Sequence, residues 1–542
     1  MKSRAAVYSG YIYDIPKTNW TNKSEVEGNL TYVDFEKERS IPVGGIPIIS
    51  DGKTGYIDAS DNHCVIYGSS GAKKSTCLYM PMICTMAKAG ENMVISDPKG
   101  ELYSRTGKFV KSQGYRIIVV NFRDYNGDAY NPLHYPARLW KEVGDTDKAS
   151  MVASEFCSVL AQGQEENGKV DPFWPSTAKA YINGVEPLMF DSYNDINDIN
   201  IMSLADYFTE RTADLLREYV NQSRIKNAAM TNLRTVLSEP DKTRMSTLAT
   251  CSSFIQSFIQ NDKLARMLSY STFELEDLTK KKTALYIITD DTTTVCNPIV
   301  GVLLSQLQTV LIDKAFHSEN GKLSARVNFL LDEFCSFPIP GICEALATHR
   351  SRNIRYFLCV QSLDALSNKY PHYESLLANC ATSLFLGSTE MKLLENISER
   401  LGETERTATG KKEPLISISE LMTLRKSWDF KEAIYLNLSD ATRYCTTLPA
   451  IEQYESFNKY GKSELPNKVY PKVSVYTFED LLNDISDDKA KRPFESQPKK
   501  KVDKKNKSKN DEDTFTLDYS LQKELEAKFD ELFGALSDDE EN

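Results

Sequence analysis

The chain lacks the long apolar runs that would carry it across a bilayer. Stretches such as Ala284 to Ile288 and Val327 to Leu331 are five residues long, against the ~20 that a membrane-spanning helix needs. The first thirty residues carry Arg4, Asp14, Lys17, Lys23 and Glu25 among Tyr and Asn, so they hold no apolar core of a secretory signal. The expectation is a chain that starts in the cytosol and meets a membrane only through a partner protein. An excess of basic charge is missing as well. The 542 residues carry 65 Lys and Arg against 76 Asp and Glu, a net charge of -11, which excludes a surface built throughout to coat a polyanion. Paired cysteines are also absent. The eleven cysteines run from Cys64 to Cys445 without a C-x-x-C pair or a His/Cys cluster at metal spacing, so neither a disulfide framework nor a zinc site is expected. Reduced, mostly buried thiols fit better.

What is present is a two-to-four-core globular chain with 41% apolar and 26% charged residues, taking ~150 residues per domain as a prior. Short β-branched or aromatic runs recur, each followed by a turn and a helical pattern: Cys64 to Tyr67, Met93 to Ser96, Arg116 to Val120, Ala284 to Thr289, Val327 to Leu331, Ile354 to Val360, Thr382 to Leu386 and Ala433 to Leu438. Strands alternating with helices predict an α/β fold with a mainly parallel sheet covered on both faces. Between Tyr181 and about Leu268 strand signals stop, and helical stretches such as Met202 to Gln222 and Ser223 to Ser238 predict an inserted all-α domain. From Pro466 the composition turns polar. Seven lysines between Lys499 and Lys509 form a basic run predicted to be disordered. Beyond it, Leu521, Leu525, Phe529, Leu532, Phe533 and Leu536 make one apolar stripe on an acidic helix, which suits either the chain's own body or a docking partner. The expected organisation is an N-terminal polar segment over 1–55, a nucleotide-binding domain over 56–180 and 269–465, the helical insert over 181–268, and a tail over 466–542.

After the run ending at Tyr67 comes Gly68-Ser69-Ser70-Gly71-Ala72-Lys73-Lys74-Ser75-Thr76, followed by an apolar helix. Small residues let successive backbone N–H groups curl around a phosphate at a helix N-terminus. Lys74 is placed to reach the outer phosphates, and the Ser75 hydroxyl to hold Mg²⁺. The pattern is a Walker A loop with one departure, since Lys73 stands where a glycine is usual. If that position needs a positive φ, a lysine there costs on the order of 1 kcal/mol of strain and must turn its side chain outward. Taken alone, the loop could be a Gly/Ser turn before a helix.

Val327 to Leu331 ends in Asp332-Glu333, the Walker B pattern. Asp332 would coordinate Mg²⁺ and Glu333 would orient and polarise the attacking water. A plain helix cap with a first-turn acid reads the same way locally. Gln361 ends the next strand, where it can sense a γ-phosphate, and Arg350 and Arg352 precede that strand. An arginine at a strand entrance suits a finger inserted into a neighbour's site, or a solvent-facing charge.

Further motifs then follow in order. Asp97-Pro98-Lys99-Gly100-Glu101 follows the second strand, Tyr130-Asn131-Pro132-Leu133 the third, and Asp171-Pro172-Phe173-Trp174 opens a helix. Phe273 to Leu278, Leu331 to Phe334, Arg350 to Asn353 and Gln361-Ser362 complete the string. Over residues 60 to 450 it resembles the TraG/TraD-like coupling proteins of type IV secretion. The resemblance implies a RecA-like motor with an inserted all-α domain that uses ATP and Mg²⁺. It also implies a homo-hexamer at the cytoplasmic face of the secretion channel, with Arg350 reaching a neighbouring site and single-stranded, relaxase-bound DNA as cargo. A ring built from one head-to-tail contact is what an in-trans arginine requires. Members of the family usually carry N-terminal transmembrane helices, so this chain resembles the soluble minority. A non-hydrolysing relaxosome-docking adaptor, or a translocase of the FtsK/HerA type, stands as the alternative.

Overall fold

The computed structural model describes residues 18–494 apart from 38–39, 166–170, 291 and 406–411, together with the hairpin Ala5–Tyr8 and Tyr11–Asp14. The basic run and the apolar stripe beyond residue 494 lie outside the described residues. At the centre is a ten-stranded sheet. In chain order its strands are β1 (Cys64–Gly68), β2 (Asn92–Asp97), β3 (Arg116–Asn121), β4 (Asn126–Gly127), β5 (Thr283–Ile288), β6 (Val327–Leu331), β7 (Ile354–Val360), β8 (Thr382–Gly387), β9 (Phe430–Asn437) and β10 (Thr442–Pro449). Their spatial order is β10-β9-β8-β1-β7-β6-β2-β5-β3-β4. From β8 to β3 every neighbouring pair is parallel, and β9, β10 and β4 add antiparallel edges.

The parallel strands are buried on both faces, which is why they read as apolar runs. Alternation along each strand serves two cores. In β2, Val94 faces the side that holds helix Asn297–Phe316 and the helical segment, whereas Met93 and Ile95 face helix Met80–Ala89 and a small sheet. That small sheet pairs Thr31–Asp34 with Thr54–Asp58, and Thr54–Asp58 with Ile46–Ser50. It is tied to the large sheet by Arg355, which is 2% exposed. Its guanidinium donates to Gly44 O at 3.0 Å, Ser60 O at 2.8 Å, Asn328 Oδ1 at 2.8 Å and Glu91 Oε2 at 3.3 Å.

Helix Asn297–Phe316 is the one described helix long and apolar enough to cross a membrane, with a mean hydropathy of 1.4. Ile299, Val300, Leu303, Leu304 and Leu307 are each fully buried in the core, so its apolarity is used in packing. Between β4 and β5 the described residues hold helices and no strand, from His134–Arg138 through Thr146–Glu165, Phe173–Ser192 and Asp241–Ile259 to Asp277–Lys280. The cysteines are free and most are buried.

After β10 come a short turn at Ile451–Gln453 and helix Glu455–Asn458, then a stretch without helix or strand that leads to helix Phe478–Ser486. Ser463 N donates to Ser104 O at 2.7 Å. Tyr470 stacks on Tyr270 with its hydroxyl 2.6 Å from Gly127 O, and Tyr193 Oη donates to Tyr476 O at 3.0 Å. The closing helix is fixed by a Thr477/Asp480 capping box and by Phe478, whose ring meets those of Tyr207 and Tyr219.

Candidate functional site

In a parallel sheet, ligands bind beyond the carboxyl ends of the strands. Here those ends open a cleft of about 270 Å³ lined by residues 70–76, Asp97, Pro98, Lys99, Glu101, Leu102, Asp332, Glu333 and Gln361. The loop after β1 forms one wall. Ser69 N donates to Gly387 O on the neighbouring β8 at 3.0 Å, and Ala72 N to Ser69 O at 3.2 Å. Lys74 folds back over the loop, its Nζ donating to Gly68 O at 3.0 Å and Ser69 O at 3.3 Å. A side chain at Gly68 would press on that lysine, with a Cβ 3.1 Å from its Cδ. Gly71, at φ 75°, is open by contrast, its nearest neighbour being Lys426 Nζ at 3.9 Å from a Cβ. Lys73 has φ 64°, the left-handed backbone that glycine adopts without strain. The motif's departure is therefore in residue type and not in backbone path.

Helix Met80–Ala89 continues from a wider turn at Ser75–Tyr79 and stops at Gly90, φ 77°. Gly68 and Ser69 thus lie beneath the cleft as carbonyl acceptors, while Ser70, Gly71, Ala72, Lys73, Lys74, Ser75 and Thr76 line it.

The acid pair arrives from β6, two strands away from β1. Asp332 is 7% exposed. Burial raises its pKa, opposed by the Lys74 charge, the Cys359 thiol, the Glu333 amide and the Lys99 charge. Glu333 sits at φ 57°, a strained backbone for a non-glycine residue, and its N–H donates to Asp332 Oδ1 at 3.1 Å. Gln361 follows β7, the strand between β1 and β6, which brings it into the cleft between loop and acids. Arg350 is not among the lining residues. It is exposed in the turn His349–Arg352 before β7, its Nη1 3.5 Å from Asn62 Oδ1. The seven residues of β7 put it roughly 20 Å from the cleft at ~3.3 Å per residue.

Four charged contributors escaped sequence reading as site residues, Glu101 of the turn after β2 among them. Asp97 and Lys99 bring β2 into the cleft, and Lys426 donates to Gly71 O at 3.2 Å from a loop far along the chain. The Asp97 carboxyl is pushed up to about 6 by burial, against hydrogen bonds from the Tyr103 and Leu102 amides and with the Asp332 and Glu101 charges adding to the rise. A buried strand ending in a Pro-Lys-Gly turn at the ligand-binding edge was the available signal for Asp97 and Lys99. No local signal marks Lys426.

A phosphate-type loop after β1, an acid pair on β6 and a polar sensor position on the strand between them define a RecA-like P-loop NTPase fold with an attached helical domain. The chain belongs to the type IV secretory system conjugative DNA transfer family, whose profile matches residues 14–427. No curated protein sequence matches it. Among solved structures it resembles the bacterial conjugative coupling protein TrwBdeltaN70 in complex with sulphate, at 17% identity and a TM-score of 0.57 over 85% of this chain and 97% of that one. The plasmid coupling protein TrwB with the non-hydrolysable ATP analogue ADPNP gives 16% identity and a TM-score of 0.56, covering 85% and 96%. TrwB with ADP and Mg²⁺ gives 17% and 0.55, covering 85% and 96%. At such identities the likeness establishes the fold.

Proposed function

We propose that the chain is an ATP-dependent coupling protein that recruits relaxase-bound DNA and delivers it to a conjugative type IV secretion channel. The observation that carries this reading is the convergence of the Walker A loop, Asp332, Glu333 and Gln361 on one cleft. The oxygen donors of Ser75 and Asp332 suit Mg²⁺, a hard cation that keeps few protein ligands and bridges phosphate oxygens. When bound, the ion would neutralise charge developing on the transferred phosphoryl group. TrwB structures with ADPNP and with ADP and Mg²⁺ support the same cofactors here. Lys74 exchanges its loop carbonyls for the outer phosphates. Glu333 accepts the proton of the attacking water at its carboxylate, and Gln361 aligns that water. Arg350 is too far away to serve its own cleft, so its charge goes to a neighbouring copy, as a closed homo-hexamer would allow. The helical domain faces the relaxosome, single-stranded DNA follows the ring, and a membrane-protein partner holds the assembly at the inner face of the cell membrane.

Purified protein is expected to hydrolyse ATP with Mg²⁺. Glu333→Gln should lower the rate by roughly 10²-fold or more without loss of fold, and Lys74→Ala should abolish nucleotide binding. A wild-type chain that binds ATP but never turns it over, with or without single-stranded DNA, would sink the motor reading. The second reading, a docking adaptor that does not hydrolyse, draws its support from the side chain of Lys73 in the phosphate loop.

A further inference from the structure

The cleft has a second wall, which the phosphate loop does not build. β2 lies three strands from β1 in the order β1-β7-β6-β2, a spacing of roughly 14 Å at ~4.8 Å per strand. Asp332 follows β6, the nearer to β2 of the two strands between the walls, and Ser96 Oγ donates to Asp332 O at 2.6 Å. The turn after β2 is firmly held. Gly100 N donates to Asp97 O at 3.2 Å, Gly100 has φ 71°, and the Asp97 carboxylate, 1% exposed, accepts from Tyr103 N at 2.8 Å. Ile288 and Leu465 pack against the turn, each within 3.8 Å of where a Gly100 Cβ would stand.

Proline 98 narrows the backbone further, so Lys99 is presented to the cleft on a fixed base, beside the Asp97 and Glu101 carboxyls that line it too. It is exposed, it lines the cleft, and its charge, like that of Lys74, acts on Asp332.

We propose that Lys99 is a second phosphate-binding cation, which reads the outermost phosphate of a nucleoside triphosphate from the wall opposite the Walker A loop. The inference rests on the nucleotide-site reading above. A nucleotide seated on the loop at β1 directs its phosphate chain toward β6, so only the terminal phosphate comes between Lys74 and Lys99. A diphosphate stops short of Lys99. Lysine suits the task as a compact point charge on a flexible stem. The rigid turn supplies the precision that the side chain lacks, since a pre-positioned base lowers the cost of ordering on binding.

The test compares Lys99→Met and Lys99→Arg with wild type by titrating the full chain with a fluorescent ADP and with a fluorescent non-hydrolysable ATP analogue, each with Mg²⁺. Lys99→Met should weaken the triphosphate analogue about tenfold or more and ADP less than about threefold, since only the former loses a charge-assisted contact. Lys99→Arg should keep most of the discrimination. A lysine that merely balances Asp332 and Glu101 would shift both nucleotides alike, and that result, or no shift in either, overturns the assignment. A wild-type chain that binds neither nucleotide removes the nucleotide site itself and this inference with it. Normal wild-type binding with no discrimination in Lys99→Met removes the inference alone.

Discussion

The backbone at Lys73 gives the sharpest test of the phosphate loop. A non-glycine residue at φ 64° carries on the order of 1–2 kcal/mol of steric strain, which Lys73→Gly relieves. Glycine gives back about 0.5–1 kcal/mol through the extra freedom of the unfolded chain. The net gain is about 0.5–1 kcal/mol. Lys73→Ala keeps the strain and loses only the ammonium, so the ordering expected in urea unfolding is Gly above both Ala and Lys. Midpoints at constant m-value report the difference directly. Nucleotide affinity should move much less, within about threefold, because the loop already follows the glycine path and the strain is incurred on folding and not on binding. An alanine variant as stable as the glycine variant would refute the left-handed assignment. A gain of more than about tenfold in ATP affinity in Lys73→Gly would show that the lysine blocks the cradle, and would favour the adaptor reading.

Arg350→Ala should leave stability within about 0.5 kcal/mol, as an exposed site predicts, and leave nucleotide binding unchanged. It should cut hydrolysis in the assembled state by roughly 10³-fold, with activity partly recovered on mixing with Glu333→Gln, as measured by phosphate release. Glu91→Ala strips the partner from buried Arg355, so chemical unfolding should show a loss of about 3–5 kcal/mol, with Glu91→Gln milder. Asp97 holds its proton up to about 6 in the fold, whereas the unfolded chain releases it near 3.8. Its contribution is therefore full below about pH 3.8 and disappears as pH rises through 6, a difference on the order of 3 kcal/mol. Asp97→Asn should flatten that limb of the pH–stability curve.

The parallel strands were legible because burial on both faces makes them continuous apolar runs, and β1, β6 and β7 fall where such runs stand in the sequence. Their spatial order was not. Long helical crossovers separate consecutive strands, and nothing in residues 354–360 announces that they lie between β1 and β6. The polar antiparallel strands were harder still. Thr442–Pro449 mixes buried and exposed positions at a sheet edge, and its threonines and arginine form no continuous apolar run. Thr31–Asp34 and Thr54–Asp58, an edge and the central strand of the small sheet, lie within and across the end of a segment read as polar. Residues 466–494, read from composition as tail, are anchored by a few widely spaced aromatic residues, too sparse for any periodicity to register. The motif residues of the candidate site stood out because phosphate chemistry restricts residue type and spacing. Asp97 and Lys99 were recognised only as marks of resemblance, since their bearing on the cleft depends on the adjacency of β2 and β6.

Charge balance in the cleft leads to a last expectation. Lys73, Lys74 and Lys99 face four carboxylates, those of Asp97, Glu101, Asp332 and Glu333. A highly charged nucleotide anion entering such a lining gains little from the lysines alone, since Lys74 and Lys99 both sit close to Asp332. A divalent cation between Ser75 and Asp332 reverses the balance and converts a repelling carboxylate into a ligand. Removing Mg²⁺ with a chelator should therefore weaken ATP binding by about tenfold or more, equivalent to ~1.4 kcal/mol. Asp332→Asn should show a smaller Mg²⁺ effect, because it lowers metal affinity and repulsion together. Titration of a fluorescent ATP analogue at fixed ionic strength measures both. If chelation left wild-type affinity unchanged, the lysines would be sufficient for the phosphates by themselves, and Asp332 would have to be reassigned from metal ligand to structural anchor of the turn at Glu333.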